Sequence, residues 1–129
     1  MKNNANSSDE IRLIGQQLTS VLTAIDYITL KFVKYPLSSS GEFSDSALID
    51  IEEGFEVTSD EGMVTIRKDD DLVKFQKGSM SFINLIGQIV TSVNSRPNGE
   101  LELRFNTNAT VRFLINDQGF DSFALTFKN

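Results

Sequence analysis

Carboxylates are the residues of this sequence whose number and spacing best suit chemistry. Glu42, Asp45, Asp50, Glu52, Glu53, Glu56, Asp60, Glu61, Asp69, Asp70 and Asp71 stand between positions 42 and 71 against only Arg67 and Lys68, a net charge of −9; the other 99 residues hold seven acids and ten bases, a net +3. A pair of carboxylates can hydrolyse a glycoside when held at the right separation, and several carboxylate oxygens together can hold a hard cation. Nothing marks either use. Eighteen acids in one chain always supply some pair, and Asp69-Asp70-Asp71 fits no EF-hand spacing and reads as the acidic start of a helix, where the dipole favours negative charge. No catalytic residue and no metal-ligand set is assigned. Docking remains: an acidic face repels phosphate, which speaks against nucleic acid, and it steers a basic protein and speeds its association. The eleven carboxylates are thus candidate partner-binding residues, with a merely solvated polar surface as the plain alternative.

The absences narrow the field further. With no His and no Cys in 129 residues, Ser–His–Asp and Cys–His arrangements, histidine general bases and the usual zinc sites are excluded. Neither a GxxxxGK[ST] loop nor a GxGxxG is present, so phosphate cradling through those loops is excluded too. The reading is a non-enzymatic protein with no cofactor. Residues 1–10 (MKNNANSSDE) are small and polar and read as a loose tail rather than a leader peptide. Asp26 interrupts one apolar run and Asn84 and Gly87 the other, so no segment reaches the roughly 20 apolar residues a bilayer span needs. A chain without cysteine fits a reducing compartment, and a cytoplasmic location without membrane or nucleic-acid partners is the expectation.

The elements that position these residues begin with a duplication. Leu13-Ile14-Gly15-Gln16-Gln17-Leu18-Thr19-Ser20-Val21 aligns with Leu85-Ile86-Gly87-Gln88-Ile89-Val90-Thr91-Ser92-Val93, identical at seven of nine positions; after one extra residue Ile28-Thr29-Leu30-Lys31-Phe32 aligns with Leu101-Glu102-Leu103-Arg104-Phe105. A weaker echo sets Glu53-Gly54-Phe55-Glu56 beside Gln118-Gly119-Phe120-Asp121. Two copies are too few for a solenoid and suggest two half-sheets related by a pseudo-twofold. Apolar residues alternate with polar ones through 13–32 and 85–105, the signature of antiparallel hairpins with one wet face. Pro97-Asn98-Gly99 supplies the turn of the second, since Asn-Gly favours positive φ. Gly15 and Gly87, each just before a strand, suggest a positive-φ bend or a close backbone approach.

Further strands are expected at 47–51, 55–58, 63–67, 110–115 and 123–127, about nine in all, with Ser59-Asp60-Glu61-Gly62 as a hairpin loop. Residues 69–85 read as a helical connector that Gly78 interrupts, and the Ser-rich stretch 36–45 as a surface loop. Phe43, Phe55, Phe75, Phe82, Phe113, Phe120, Phe123 and Phe127, eight of the ten phenylalanines, could suggest an aromatic binding surface, but most of them are assigned to the core. The fold class is α+β, mostly β: a single domain over 11–129, made of two repeats (about 11–68 and 79–129) with a short helix between them.

The repeated LIGQ-x-[LV]-T-S-V followed by an [IL]-x-L-x-F strand resembles a family of small bacterial proteins of unassigned function, built from two such halves joined by an acidic stretch and a short helix, and sometimes encoded near toxin genes. The resemblance covers residues 11–127, departs from the family pattern in the Ser-rich loop, and rests on structural motifs that carry no site residues with them. It implies an immunity protein: a cytoplasmic inhibitor that binds one cognate toxin domain, a basic nuclease for instance, and masks it. The rival expectation is a small-ligand or self-assembly module, a homodimer included, with Gly15/Gln16 and Gly87/Gln88 around a shared cleft. A carboxylate enzyme is the third.

Overall fold

The computed structural model describes residues 10–34, 46–116 and 122–128, which form two antiparallel sheets. In chain order the strands are β1 (Gln16–Thr23), β2 (Ile28–Lys34), β3 (Ser46–Ile51), β4 (Gly54–Ser59), β5 (Gly62–Arg67), β6 (Val90–Ser95), β7 (Leu101–Phe105), β8 (Thr110–Phe113) and β9 (Phe123–Lys128). The connector between β5 and β6 carries two short helices, α1 (Leu72–Lys77) and α2 (Met80–Ile83). One sheet runs β1-β2-β3-β9 and the other β5-β4-β8-β7-β6. The protein is therefore mostly β, and the expected hairpins, strands and helical connector are all present.

The duplication is realised down to single hydrogen bonds. Both hairpins carry a β-bulge at the same repeat position: the register jumps between Leu18 and Ser20 in β1 and between Val90 and Ser92 in β6. The extra residue is Thr19 in one and Thr91 in the other, and each donates its hydroxyl across the bulge, to Lys31 O and Arg104 O, both at 3.2 Å. A bulge leaves ladder groups unpaired, and a threonine hydroxyl is short enough to take one up. Ahead of each strand the backbone makes one helical turn, with Ile14 N donating to Ile11 O and Ile86 N to Ile83 O. Gly15 and Gly87 then follow at φ +90 and +95, where a Cβ would be strained. Those bends let the halves clasp each other: Gly15 N donates to Val90 O and Gly87 N to Leu18 O, both at 2.8 Å. An isolated antiparallel bridge, Gln17 to Ile89, joins the two sheets between them. Gln17 and Ile89 are equivalent in the repeat, so the pseudo-twofold axis passes through this bridge.

After the hairpins the halves exchange strands. β3 lies beside β2, and β8 beside β7, in equivalent registers, with Ala47 and Ala109 facing the matching ends of Phe32 and Phe105. The following strand of each half then leaves its own sheet: β4 pairs with β8 of the second half, and β9 pairs with β3 of the first. Phe55 opposite Phe113 thereby corresponds to Phe123 opposite Ile51. The sequence echo that matched Phe55 to Phe120 is three residues out of this register, and Gln118 to Asp121 themselves lie outside the described residues.

One core holds the exchange together. Its buried members come from both sheets and both helices, with Phe32, Phe55, Phe75, Phe82, Phe105 and Phe113 among the largest; Phe123 and Phe127 are only half-buried, and Phe43 and Phe120 lie outside the described residues. The Phe55 ring meets Phe75 at 6.1 Å and Phe82 at 4.7 Å between centroids, tilted contacts of the kind aromatic pairs favour. Gly78 closes α1 and cannot carry a side chain, since a Cβ there would fall 2.7 Å from both Phe55 Cζ and Ile66 Cδ1. The Pro97 turn differs from a two-residue loop. Only Gly99 has positive φ, because Pro97 fixes its own φ near the negative value of an ordinary turn, and the strands are joined through 96–100 with Gly99 N donating to Arg96 O and Arg96 N to Glu100 O.

Candidate functional site

The acidic stretch does not form one face. Glu42 and Asp45 lie outside the described residues. Asp50 accepts the Thr29 hydroxyl across the sheet. Glu53 pairs with Arg67 at 3.1 Å and accepts from Asn116. Glu56 pairs with Arg112 at 3.0 Å and accepts from Thr65. These three acids are used within the fold. Arg112 also reaches Glu100 at 3.7 Å, and Arg96 reaches Glu102 at 3.2 Å, so Glu56, Arg112 and Glu102 form a ladder of alternating charge in register across β4, β8 and β7. Opposite charges facing each other on neighbouring strands stabilise a sheet modestly. Glu100 and Glu102 were not among the sequence candidates, although their period-two spacing marks them as cross-strand partners.

The remaining carboxylates fall at two ends of the β4–β5 hairpin. Asp60 and Glu61 are exposed at its tip. Glu52, Asp69, Asp70 and Asp71 are exposed at its base, where β4 begins opposite the end of β5; a six-residue strand separates the groups by about 20 Å. Asp71 has a local task, accepting from Lys74 N as the N-cap of α1, which is a normal use of aspartate there.

The base of the hairpin meets the tip of the β1–β2 hairpin. Lys68 Nζ donates to Asp26 O at 3.2 Å, and Gln76 Nε2 of α1 donates to Ile25 O at 2.6 Å. The two contacts bring the Ile25 segment against α1, and Ile25 (77 % exposed), Val73 (56 %) and Leu72 (41 %) stand exposed on these two elements; Asp26, Glu52, Asp69 and Asp70 are exposed on the same or adjoining segments, as are Lys74 and Lys77 of α1. Phe75 of the same helix points into the core instead. Apolar side chains this exposed, gathered on two adjoining elements, mark interaction surfaces more often than single exposed residues do.

At the other end, α2 and the β4–β5 tip flank a groove of about 420 Å³. Its floor is apolar, from Val57, Leu85 and Ala109, and its rim polar, from Ser59, Asp60, Glu61, Ser81, Asn84, Gln88 and Thr107. Gln88 is held in place at both ends, donating to Asn84 O and accepting from Thr107. Gln88 is the one member of the expected Gly15/Gln16 and Gly87/Gln88 cleft that lines an opening; Gln16 is buried, and the two glycines clasp the opposite half instead of framing a cleft. Among the described residues, no three carboxylates converge as a metal site, and no helix is long and apolar enough to cross a membrane. Comparison with protein families, with curated proteins and with solved structures found no match.

Proposed function

We propose that the protein is a binding protein of the immunity type, which neutralises a cognate toxin domain by docking a basic surface of that domain onto the Ile25/α1 end. The observation that carries this reading is the gathering, on adjoining segments, of exposed apolar side chains and of acids that make no ion pair among the described residues. Ile25, Leu72 and Val73 offer area to desolvate, and on the same segments the acids Asp26, Glu52, Asp69, Asp70 and Asp71 outnumber Lys68, Lys74 and Lys77. That is the arrangement of an interface with an apolar centre and a charged rim, and the rim charges set the association rate with a basic partner. Acids engaged by arginines within the sheet, Glu53 and Glu56, are not part of the surface.

The test uses the whole chain, tagged, and the protein it captures at low salt. The expected partner is basic, stoichiometric, released by raised ionic strength, and toxic when expressed without this protein. Reversing Glu52, Asp69 and Asp70 to Lys slows association at least tenfold and flattens its salt dependence, whereas reversing Asp60 and Glu61 leaves both unchanged. Equal capture by wild type and by the Glu52/Asp69/Asp70 variant would refute the docking surface.

A further inference from the structure

The groove beside α2 has a counterpart in the first half, and there it is filled. The repeat alignment and the strand registers set Leu13, Ala47 and Leu125 against Leu85, Ala109 and Val57, so the floors match, and set Gln16 against Gln88. The rims differ. Where the groove has Asn84 and Ser59, the first half has Arg12 and Phe127, and the Arg12 guanidinium sits 4.3 Å over the Phe127 ring. Where the groove has Thr107, the first half has Lys34, whose Nζ lies 3.6 Å from the Cβ position of Gly15. The same position at Gly87 meets nothing within 4 Å. The consequence shows in the glutamines: Gln16 is 0 % exposed, while Gln88 is half-exposed.

The geometry points to the open groove as a site for a guanidinium on an apolar stem, an arginine side chain of another molecule, which takes the place Arg12 takes in the first half. Three features of the lining select this chemistry. The rim includes the carboxylates of Asp60 and Glu61 and no lysine or arginine, so it favours a cation and repels an anion. Hydroxyl and amide oxygens from Ser59, Ser81 and Asn84 supply acceptors for a planar group with five donors. The buried floor of Val57, Leu85 and Ala109 offers apolar area to the methylenes that such a side chain lays along a surface. A volume of about 420 Å³ is within the range of small-ligand sites. The inference does not rest on the docking reading, because the groove and the Ile25 end lie at opposite ends of β4 and β5.

Titration of the ¹⁵N-labelled full chain with Nα-acetyl-arginine amide tests it by NMR. The expected result is saturable shifts at Gly62, Asn84, Gln88 and Thr107, without shifts at Arg12, Gln16 and Lys34, and weaker ones with the lysine analogue. Asp60→Asn with Glu61→Gln weakens binding about five- to tenfold, the combined effect of two exposed charges. Asn84→Arg with Ser59→Phe transplants the first half's filling and abolishes binding at an unchanged thermal midpoint. Shifts spread equally over both halves, no saturable shifts, equal response to the lysine analogue, or binding undiminished by loss of both carboxylates would each overturn the assignment.

Discussion

The two halves of this chain solve the same packing problem and then part at the rim. Where strands pair and cores meet, the equivalent residues are alike in kind: Leu18 and Val90, Phe32 and Phe105, Ala47 and Ala109 are all buried. Both bulges keep their threonine and both bends their glycine. One turn of backbone away, Arg12 over Phe127 in the first half stands opposite Asn84 and Ser59 in the second. A buried position is constrained by every neighbour that touches it, whereas a rim position is constrained only by what lies over it. The difference thus separates what the duplicated fold requires from what the second half is free to use.

The strongest way to break the comparison is at the exchanged strands. Phe55 and Phe123 are equivalent, yet Phe55 is fully buried among Phe75, Phe82 and Gly78 whereas Phe123 is half-buried. Phe55→Ala should cost about 3–5 kcal/mol and Phe123→Ala about half as much, measured as the shift in urea midpoint at constant slope. Equal losses would mean that the two halves share the core evenly. A smaller effect is expected at the clasp. Gly15→Ala and Gly87→Ala each force a Cβ into positive φ, a cost of about 1–2 kcal/mol, and chemical denaturation should find the two variants equally affected, since the new carbon meets only an ordinary contact at Gly15, Lys34 Nζ at 3.6 Å, and nothing within 4 Å at Gly87.

Much of this architecture is legible in the sequence because its determinants are local. Period-two alternation marks the hairpins, the repeated Gly and Thr mark the bends and bulges, and Asp71 before Leu72 marks the start of α1. The strand exchange is not legible: whether β4 returns to β3 or crosses to β8 is settled by distant pairing and by which face each phenylalanine buries, and the sequence echo that matched Phe120 to Phe55 misplaces it by three residues. The acids teach a similar lesson. Closeness along the chain placed eleven carboxylates in one group, but the hairpin carries Asp60 and Glu61 a strand's length from Glu52 and Asp69, and arginines that are remote in sequence, Arg112 above all, take up Glu56 and Glu100. The groove was legible in principle, since extending the repeat by one residue sets Arg12 against Asn84; its other wall needs the register of β9 on β3.

The most direct test of this account opens the closed half. Arg12→Asn, Phe127→Ser, Lys34→Thr and Lys128→Asp together give the first half the acid-bearing rim of the second while leaving Leu13, Gln16 and Ala47 in place. With ¹⁵N-labelled protein and Nα-acetyl-arginine amide, the expected result is new saturable shifts at Gly15 and Gln16 in addition to those at Gln88 and Thr107. A folded variant that responds only at Gln88 and Thr107 would contradict this account, since the rim residues would then not be what distinguishes the two halves.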